Sequence, residues 1–175
     1  MVTSDGTEVS WPGFKDSPMT ILFYSTGGEY GCFSNFSNHP LKYLGQQYRT
    51  SEAAFQAQKF TEPSLQKRVR LAKNAGEAAR IGRDRKLPLR KDWESVKDNV
   101  MREVVMAKFQ QNESCCRTLL GTGLEPLIEH TENDRYWADG GDGSGKNMLG
   151  IILMETRMKL NGIMVQARKI AETNG

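Results

Sequence analysis

The chain has 175 residues, of which 38% are apolar and 26% are charged, with a formal net charge of +3. This composition is typical of one soluble globular domain, and no stretch is apolar and long enough to predict a membrane span. A net charge this small does not favour general nucleic-acid binding. Residues 1–19 lack a basic start followed by an apolar run, so no secretory signal is predicted. We expect a cytoplasmic protein, with the nucleus as a second location.

The three cysteines, Cys32, Cys115 and Cys116, do not predict a disulfide framework, because their number is odd and two are adjacent. A zinc site needs about four ligands in close pairs, and His39 and His130 are the two histidines that could join them. The cysteines are therefore expected to be small buried thiols in a reducing compartment. Neither a metal nor a cofactor is expected.

The first predicted elements are strands. Residues 1–19 are rich in turn formers and predict a flexible arm, followed by a single domain over residues 20–175. The run ILFYS, residues 21–25, has strand propensity. Two further strands are predicted on either side of a turn at Leu44-Gly45. A short strand is predicted later, at residues 126–130.

Most of the remaining chain predicts helices. Ser51 can cap a helix through SEAAFQAQKF, and Thr61 the next helix, with Pro63 in its first turn. Asp92 can cap a long helix whose apolar residues recur at helical spacing and are expected to face the core: Trp93, Val96, Val100, Val104 and Ala107. Shorter helices are predicted at 76–82, 114–121, 147–160 and 161–172. The fold class is therefore α+β, mostly α-helical with a few short strands.

The segment GGDGSGKN, residues 140–147, resembles a phosphate-binding loop but lacks the Ser or Thr that holds Mg²⁺, since Asn147 stands there. The preceding NDRYWAD has no β-branched residue and does not predict a buried strand. Nucleotide hydrolysis is therefore not expected. Either the loop is a surface turn, or it binds an anionic ligand through its backbone and the helix start that follows. We favour the second, because two large aromatic residues and an acid lie just before the turn, and solvated turns rarely carry that much apolar surface. The candidate ligand-binding residues are Asn133, Asp134, Tyr136, Trp137, Gly140, Gly141, Gly143, Gly145 and Asn147.

On the predicted helix from Ser51, Glu52, Gln56 and Lys59 share one face. They form either a solvated charged stripe or the floor of a pocket. Glu52 lies in the first turn, where the helix dipole favours its charged form. Two carboxylates, here Glu52 and Asp134, can cleave a glycosidic bond through an oxocarbenium-like state.

A basic segment follows, over residues 80–91. It is either a solvated loop or a clamp for phosphate, because guanidinium groups match phosphate oxygens. Its cationic residues are Arg80, Arg83, Arg85, Lys86, Arg90 and Lys91. Together with the two acids and the rings, this segment predicts a ribose-phosphate ligand.

Four motifs, in order along residues 23–160, resemble the NADAR family. They are YGCFSNF (30–36), TSE..FQAQKF (50–60), GR.R..PLR..WE (82–94) and HTENDRYW.DGG.G.GKN.LG..LM..R (130–157). The resemblance implies a helix-rich α+β domain with N-glycosidase activity. Some members cleave phosphoribosylamino-pyrimidine intermediates of riboflavin synthesis, and others remove ADP-ribose from the amino group of guanine in nucleic acid.

The resemblance also implies residue roles. Glu52 is the leading catalytic candidate, and Asp134 and Trp93 belong to the implied site. Contacts to the ribose and phosphates are implied for Ser34, Asn35, Phe36, Arg83, Arg90 and the glycine loop. Many members have S-E-H-Y-F-Q where this chain has Ala53 and Ala54 after Glu52, and helical geometry points both alanines away from the Glu52 stripe.

Two catalytic schemes and one alternative remain open. Either Glu52 or Asp134 activates water while the other orients the ribose or protonates the leaving nitrogen, or Lys59 forms a Schiff base with C1′. The alternative is a module that binds ADP-ribose or a nucleotide without cleaving it. The expected partners are a ribose-phosphate or ADP-ribose-containing substrate and, in the second case, ADP-ribosylated DNA or RNA. In each scheme Glu52 and Asp134 are expected to converge on one sugar-sized cavity whose rim is formed by Trp93, Trp137 and the glycine loop.

Overall fold

The computed structural model describes residues 19–173, and within that range it has six α-helices and four short strands. The strands are β1 Ile21–Phe23, β2 Leu41–Tyr43, β3 Gln46–Tyr48 and β4 Leu127–Glu129. The helices are α1 Ser51–Ala57, α2 Pro63–Arg70, α3 Ala75–Gly82, α4 Trp93–Gln111, α5 Glu113–Gly121 and α6 Met148–Thr173. The predicted helix-rich α+β class is confirmed. The predicted arm lies outside the described residues but for Met19.

The strands form two separate pairs. Strands β2 and β3 are antiparallel and joined at Leu44-Gly45, where both residues have positive φ, 46° and 77°. A turn of this kind matches the twist of a two-residue hairpin. Strands β1 and β4 are parallel although about a hundred residues separate them, and Phe23 lies opposite Glu129. The chain segments that leave β1 and β4 therefore emerge at the same edge.

Helix starts differ by one residue from the predicted caps. The N-cap of α1 is Thr50 rather than Ser51, and its hydroxyl accepts a hydrogen bond of 3.1 Å from the Ala53 amide. Glu62 occupies the N-cap of α2, directly before Pro63. Thr50 and Ser51 both have a hydroxyl that can cap a helix, so the backbone conformation decides between them. Glu62 makes no capping bond through its side chain.

The two helices predicted at the C-terminal end form one helix, α6, of 26 residues. Gly162 lies inside it and does not interrupt it. A glycine within a helix costs only about 1 kcal/mol relative to alanine, which is too little to break a helix anchored by its buried first half. The residues of that half that pack into the core are Leu149, Ile152, Leu153, Thr156, Arg157 and Leu160.

Helix α1 is the centre of the core, because all seven of its residues are buried. It contacts α2, α3 and α4. The predicted core face of α4 is found, with Trp93, Val100 and Val104 buried. Among the helices of residues 19–173, none is both long and apolar enough to span a bilayer.

Lys108 is a fully buried cation on α4. Its Nζ donates to the backbone carbonyl of Ser34 at 2.9 Å and to the Ser37 hydroxyl at 2.8 Å. Burial lowers the Lys108 pKa to about 8. The lysine thereby fixes the loop Ser34–Ser37 onto α4 at the expense of a desolvated charge.

We expect Lys108→Met to change how stability depends on pH. The Lys108 pKa falls from 10.5 to about 8 on folding, so between these values the unfolded chain binds more protons than the folded chain. The wild type should therefore become more stable relative to Lys108→Met as pH rises through this window, by on the order of 2–3 kcal/mol. Urea unfolding at several pH values measures the difference. If the stability difference between the wild type and Lys108→Met stays constant as pH changes, Lys108 is not a buried ammonium with a lowered pKa.

Candidate active site

A cavity of about 900 Å³ opens where the parallel strands end. Its walls come from the segment after β1, residues 34–36, helix α1, and the chain from the end of β4 onwards. It is large enough for a nucleotide-sized ligand. The lining residues are Tyr24, Ser25, Thr26, Ser34, Asn35, Phe36, Glu52, Phe55, Gln56, Lys59, Arg83, Met101, Glu129, Thr131, Asn133, Asp134 and Trp137.

Glu52 presents its carboxylate to this cavity from the first turn of α1 while remaining 95% buried, since its exposed fraction is 5%. Burial raises the Glu52 pKa, and the nearby charge of Asp134 raises it further. A hydrogen bond of 2.8 Å from the Gln56 amide and the charges of Arg83 and Lys59 oppose this rise. These opposing effects are typical of a group that exchanges protons during a reaction.

Asp134 lies in the loop after β4. Its Oδ1 accepts two backbone hydrogen bonds of 2.7 Å, from the amides of Tyr136 and Trp137. The two amides fix the carboxylate in one orientation. Its other oxygen makes no hydrogen bond within residues 19–173, and the side chain lines the cavity with Glu52.

Two cations line the same cavity. The Lys59 ammonium donates to the Gly82 carbonyl at 3.2 Å and lies 5.7 Å from the Trp93 ring centre. Burial lowers the Lys59 pKa, and Glu52 opposes this effect. Arg83 follows Gly82 directly, so the lysine also anchors the backbone that carries the arginine.

The segment Ser34–Phe36 is tied to the start of α1. The Asn35 carbonyl accepts hydrogen bonds from the Glu52 amide at 3.0 Å and from the Ser51 hydroxyl at 3.3 Å. The Asn35 side chain is 93% buried, with an exposed fraction of 7%, and its Oδ1 has no partner within the described residues. A ligand donor in the cavity would satisfy this oxygen.

Glu129 is a third carboxyl in the cavity, and the sequence analysis missed it. It ends β4, and its backbone is held by the Asn147 side chain and by the Asp139 amide. Its carboxyl group makes no hydrogen bond within residues 19–173. Burial raises the Glu129 pKa to about 8, and the charges of Asp134, Glu52 and Asp139 add to the rise.

Aromatic rings form a layer along one wall. The Phe55 ring lies 5.0 Å from Trp93 and 5.4 Å from Trp137, measured between ring centres. Phe55 and Trp137 line the cavity, whereas Trp93 is buried behind Phe55 and is 5% exposed. Both tryptophans were expected at the rim of the cavity. Trp137 lies there, whereas Trp93 packs behind the wall and supports it.

The glycine loop lies outside the cavity lining. Its backbone pairs with the segment before it: the Gly145 amide donates to Asp139 at 2.7 Å, and the Gly140 amide to Asp134 at 3.1 Å. Its glycines are required by conformation, since Gly140, Gly141 and Gly143 have φ between 76° and 80°. The loop therefore holds the chain that carries Asp134.

Asn147 has a comparable anchoring role. Its side chain accepts from the Glu129 amide at 2.9 Å and donates to the Leu127 carbonyl at 2.8 Å, so it is used by β4 rather than as a cap for α6. It also has a positive φ of 50°. Asn147 does not line the cavity.

Two more predicted residues, Arg90 and Tyr136, have partners elsewhere. Arg90 forms a bidentate pair with Asp92 at 2.7 and 2.8 Å, and its backbone amide donates to the Lys59 carbonyl. The Tyr136 hydroxyl bonds Asp98. Of the basic segment, Arg83 lines the cavity and the other cations do not. Ala53 and Ala54 are buried and also lie outside the lining.

The residues that the sequence analysis missed cluster at the ends of β1 and β4. They include Tyr24, Ser25 and Thr26 after β1, and Glu129 and Thr131 at the end of β4. Both strands were predicted, but their pairing was not. A rule that parallel strand ends carry functional groups would have identified this set once the pairing was assumed.

Comparison with known proteins gives a consistent set of relatives. The model of the NADAR domain matches residues 22–161. The N-glycosidase YbiA of Escherichia coli K12 is 52% identical over 140 residues, which cover 80% of this chain and 88% of that protein. An N-glycosidase of Nostoc punctiforme is 38% identical over 149 residues, covering 83% of this chain and 96% of that protein.

A longer relative and a solved structure extend the comparison. A riboflavin biosynthesis protein of Vibrio vulnificus is 40% identical over 140 residues, covering 80% of this chain and 38% of that protein. The NMR structure of E. coli YbiA superposes with a TM-score of 0.80 at 48% identity, covering 86% of this chain and 90% of that chain.

We expect Arg83→Met to weaken the binding of ribose 5-phosphate about ten- to a hundredfold, since a hydrogen bond to a charged group contributes about 1.5–3 kcal/mol. Arg85→Met is the matched control, because Arg85 belongs to the same exposed segment but does not line the cavity. Isothermal titration calorimetry measures both affinities. Equal losses in the two variants would indicate a diffuse positive field instead of a contact from Arg83.

Proposed function

The chain belongs to the NADAR domain family, and on that premise we propose that it hydrolyses the bond between ribose C1′ and an amine nitrogen. Its relatives are named N-glycosidases, so the chain is a hydrolase. The carrying observation is that Glu52 and Asp134 line one cavity together with Lys59 and Arg83. In this arrangement the two acids can exchange protons with a phosphorylated sugar, and the two cations can bind its phosphate.

In the direct scheme, one of the two carboxylates removes a proton from water while the water oxygen attacks C1′. The second carboxyl group either orients the ribose hydroxyls as a carboxylate or, as the protonated acid, gives its proton to the leaving nitrogen. Positive charge develops on the ribose ring in the transition state, and both carboxylates stabilise it electrostatically. The raised Glu52 pKa suits it for proton transfer.

The Schiff-base scheme uses Lys59. An N-ribosyl amine can open to an imine at C1′, and a neutral lysine amine can exchange onto that carbon and release the amine. The lowered Lys59 pKa favours the neutral, nucleophilic form. Glu52 is close enough to influence the Lys59 charge, so it is placed to carry protons in this scheme too.

For the substrate, we propose first a phosphoribosylamino-pyrimidine of the kind made in riboflavin synthesis. Arg83 provides the phosphate contact and the rings of Phe55 and Trp137 pack against the heterocycle. The relative from Vibrio vulnificus, which is named a riboflavin biosynthesis protein, supports this choice.

A second candidate is ADP-ribose attached to the amino group of guanine in DNA or RNA. One observation favours it: the cavity continues past Tyr24 and Ser25 into a smaller pocket of about 240 Å³. The Tyr24 and Phe36 rings are 52% and 41% exposed, which makes them available for stacking on a base. A longer ligand with two bases has room here that a mononucleotide would leave empty.

Incubation with each substrate in turn tests the proposal. We expect wild-type protein to release ribose 5-phosphate from the pyrimidine intermediate or free ADP-ribose from the guanine oligonucleotide, with each product measured by chromatography. Glu52→Gln should lower turnover by about 10²–10⁴-fold, because a general acid–base group typically contributes that much. The exposed Glu132→Gln, which removes the same charge outside the cavity, should retain wild-type turnover.

Binding of either ligand without release of product would reject the enzyme in favour of a reader of ADP-ribose or nucleotide. Wild-type turnover in a folded Glu52→Gln protein would remove Glu52 from the mechanism.

Borohydride separates the two schemes. If Lys59 forms a Schiff base, adding borohydride during turnover should trap a ribosyl adduct on Lys59, detectable as a mass increase on the peptide that contains it. Lys59→Arg keeps the charge and prevents the adduct, so it serves as the control. Sustained turnover with no trapped adduct would support direct attack of water.

A further inference from the structure

Resting on the proposed N-glycosidase function, the geometry points to Glu129 as a further catalytic residue, the acid that protonates the leaving amine nitrogen. The sequence around Glu129 gave it no role. Its position in the fold does: it is the last residue of β4 and lines the cavity that Glu52 and Asp134 also line.

The backbone of Glu129 is rigidly placed. Its amide donates to the Asn147 side chain at 2.9 Å, its carbonyl accepts from the Asp139 amide at 2.9 Å, and Phe23 pairs with it across the parallel strands. Its carboxyl group, by contrast, has no hydrogen-bond partner within residues 19–173. A carboxyl group held on a fixed backbone and left without a partner in a cavity is available to a ligand.

The electrostatic surroundings keep this carboxyl neutral. The groups that act on it are Glu52 from α1 and Asp134 and Asp139 from the loop after β4, all of them acidic. The two cations of the cavity, Lys59 and Arg83, instead lower the Glu52 pKa. Burial and the three acids raise the Glu129 pKa to about 8, so its protonated form prevails at neutral pH.

The other two carboxyls are less suited to this task. Asp134 accepts two backbone amides on one oxygen, and Glu52 accepts the Gln56 amide. Hydrogen bonds of this kind are made to a carboxylate acceptor. Glu129 receives none within residues 19–173, so the O–H of its protonated form is free to donate to a ligand.

In this step the C1′–N bond breaks, and the leaving nitrogen takes the proton of the Glu129 carboxyl. Water adds to C1′ and gives a proton to the carboxylate of Glu52 or Asp134. Product release returns that proton to Glu129 directly or through solvent, so the net reaction consumes one water and yields a free amine and a ribose with a hydroxyl at C1′.

Glu129→Gln tests this role, because the amide keeps the shape but has no acidic proton. With the N-ribosyl amine substrate, kcat should fall about 10²–10⁴-fold with little change in KM. With nicotinamide mononucleotide, whose pyridine leaves neutral without gaining a proton, the variant should match the wild type. Glu129→Asp should restore part of the activity towards the amine. Glu132→Gln makes the same substitution outside the cavity and should keep the wild-type kcat.

A second measurement does not depend on turnover. The Glu129 pKa rises on folding from 4.5 to about 8, so the wild type should lose stability relative to Glu129→Gln as pH rises through that window. Urea unfolding of both proteins at several pH values detects this loss of stability. Carbon-13 NMR of labelled glutamate carboxyls should show one carboxyl titrating near 8 that is absent from the variant.

The outcomes distinguish the two levels of inference. If the wild type cleaves neither N-riboside, the proposed function fails, whatever the NMR titration shows. If the wild type cleaves the amine and Glu129→Gln retains near wild-type kcat, Glu129 is not the acid. A carboxyl that titrates near 4.5, or an equal loss of kcat on amine and pyridine substrates, overturns the assignment as well.

Discussion

The burial of a carboxylate on a helix with no exposed residue is the constraint on which the rest of the site depends. Every residue of α1 is buried, so Glu52 cannot reach bulk water except through the cavity. An isolated buried carboxylate is costly, and the structure offsets that cost with the Gln56 amide and with positive charge from Lys59 and Arg83. The same cations are then available to an anionic ligand, so stabilising the acid and binding a phosphate require the same residues.

The loops that carry the other site residues are held by buried polar anchors. Lys108 binds Ser34 and Ser37 from α4, and Asn147 binds the Glu129 amide and the Leu127 carbonyl of β4. The glycine loop pairs with the segment that carries Asp134. These contacts fix loops on rigid elements, which is the arrangement that catalytic geometry requires. They also explain why Asn147 and the glycine loop lie near the site but do not line the cavity themselves.

The sequence predicted what depends on local pattern. Helical spacing gave the core face of α4, and a spacing of four placed Glu52 and Gln56 on one face of α1. Lys59 lies beyond the end of α1, which ends earlier than predicted, yet it lines the same cavity. It could not predict the parallel pairing of β1 with β4, because two three-residue strands a hundred residues apart carry no register information. Glu129 and Tyr24–Thr26 were missed for this reason. Gly140–Asn147 was given a ligand role because glycine patterns for anion binding and for tight internal turns are alike.

The charge balance of the cavity connects these points. Besides Tyr24, three acids and two cations line it: Glu52, Glu129 and Asp134, and Lys59 and Arg83. With Glu129 neutral, the two remaining acids and the two cations are equal in number, so their charges cancel when all four are ionised. A bound phosphate adds negative charge, which makes ionisation of Glu129 still less favourable. Substrate binding would thus keep Glu129 protonated, and the leaving amine requires that proton. When the phosphate leaves with the product, its effect on the Glu129 pKa would disappear. A cavity with two carboxylates and no third, neutral acid would lack this coupling between the phosphate and the proton.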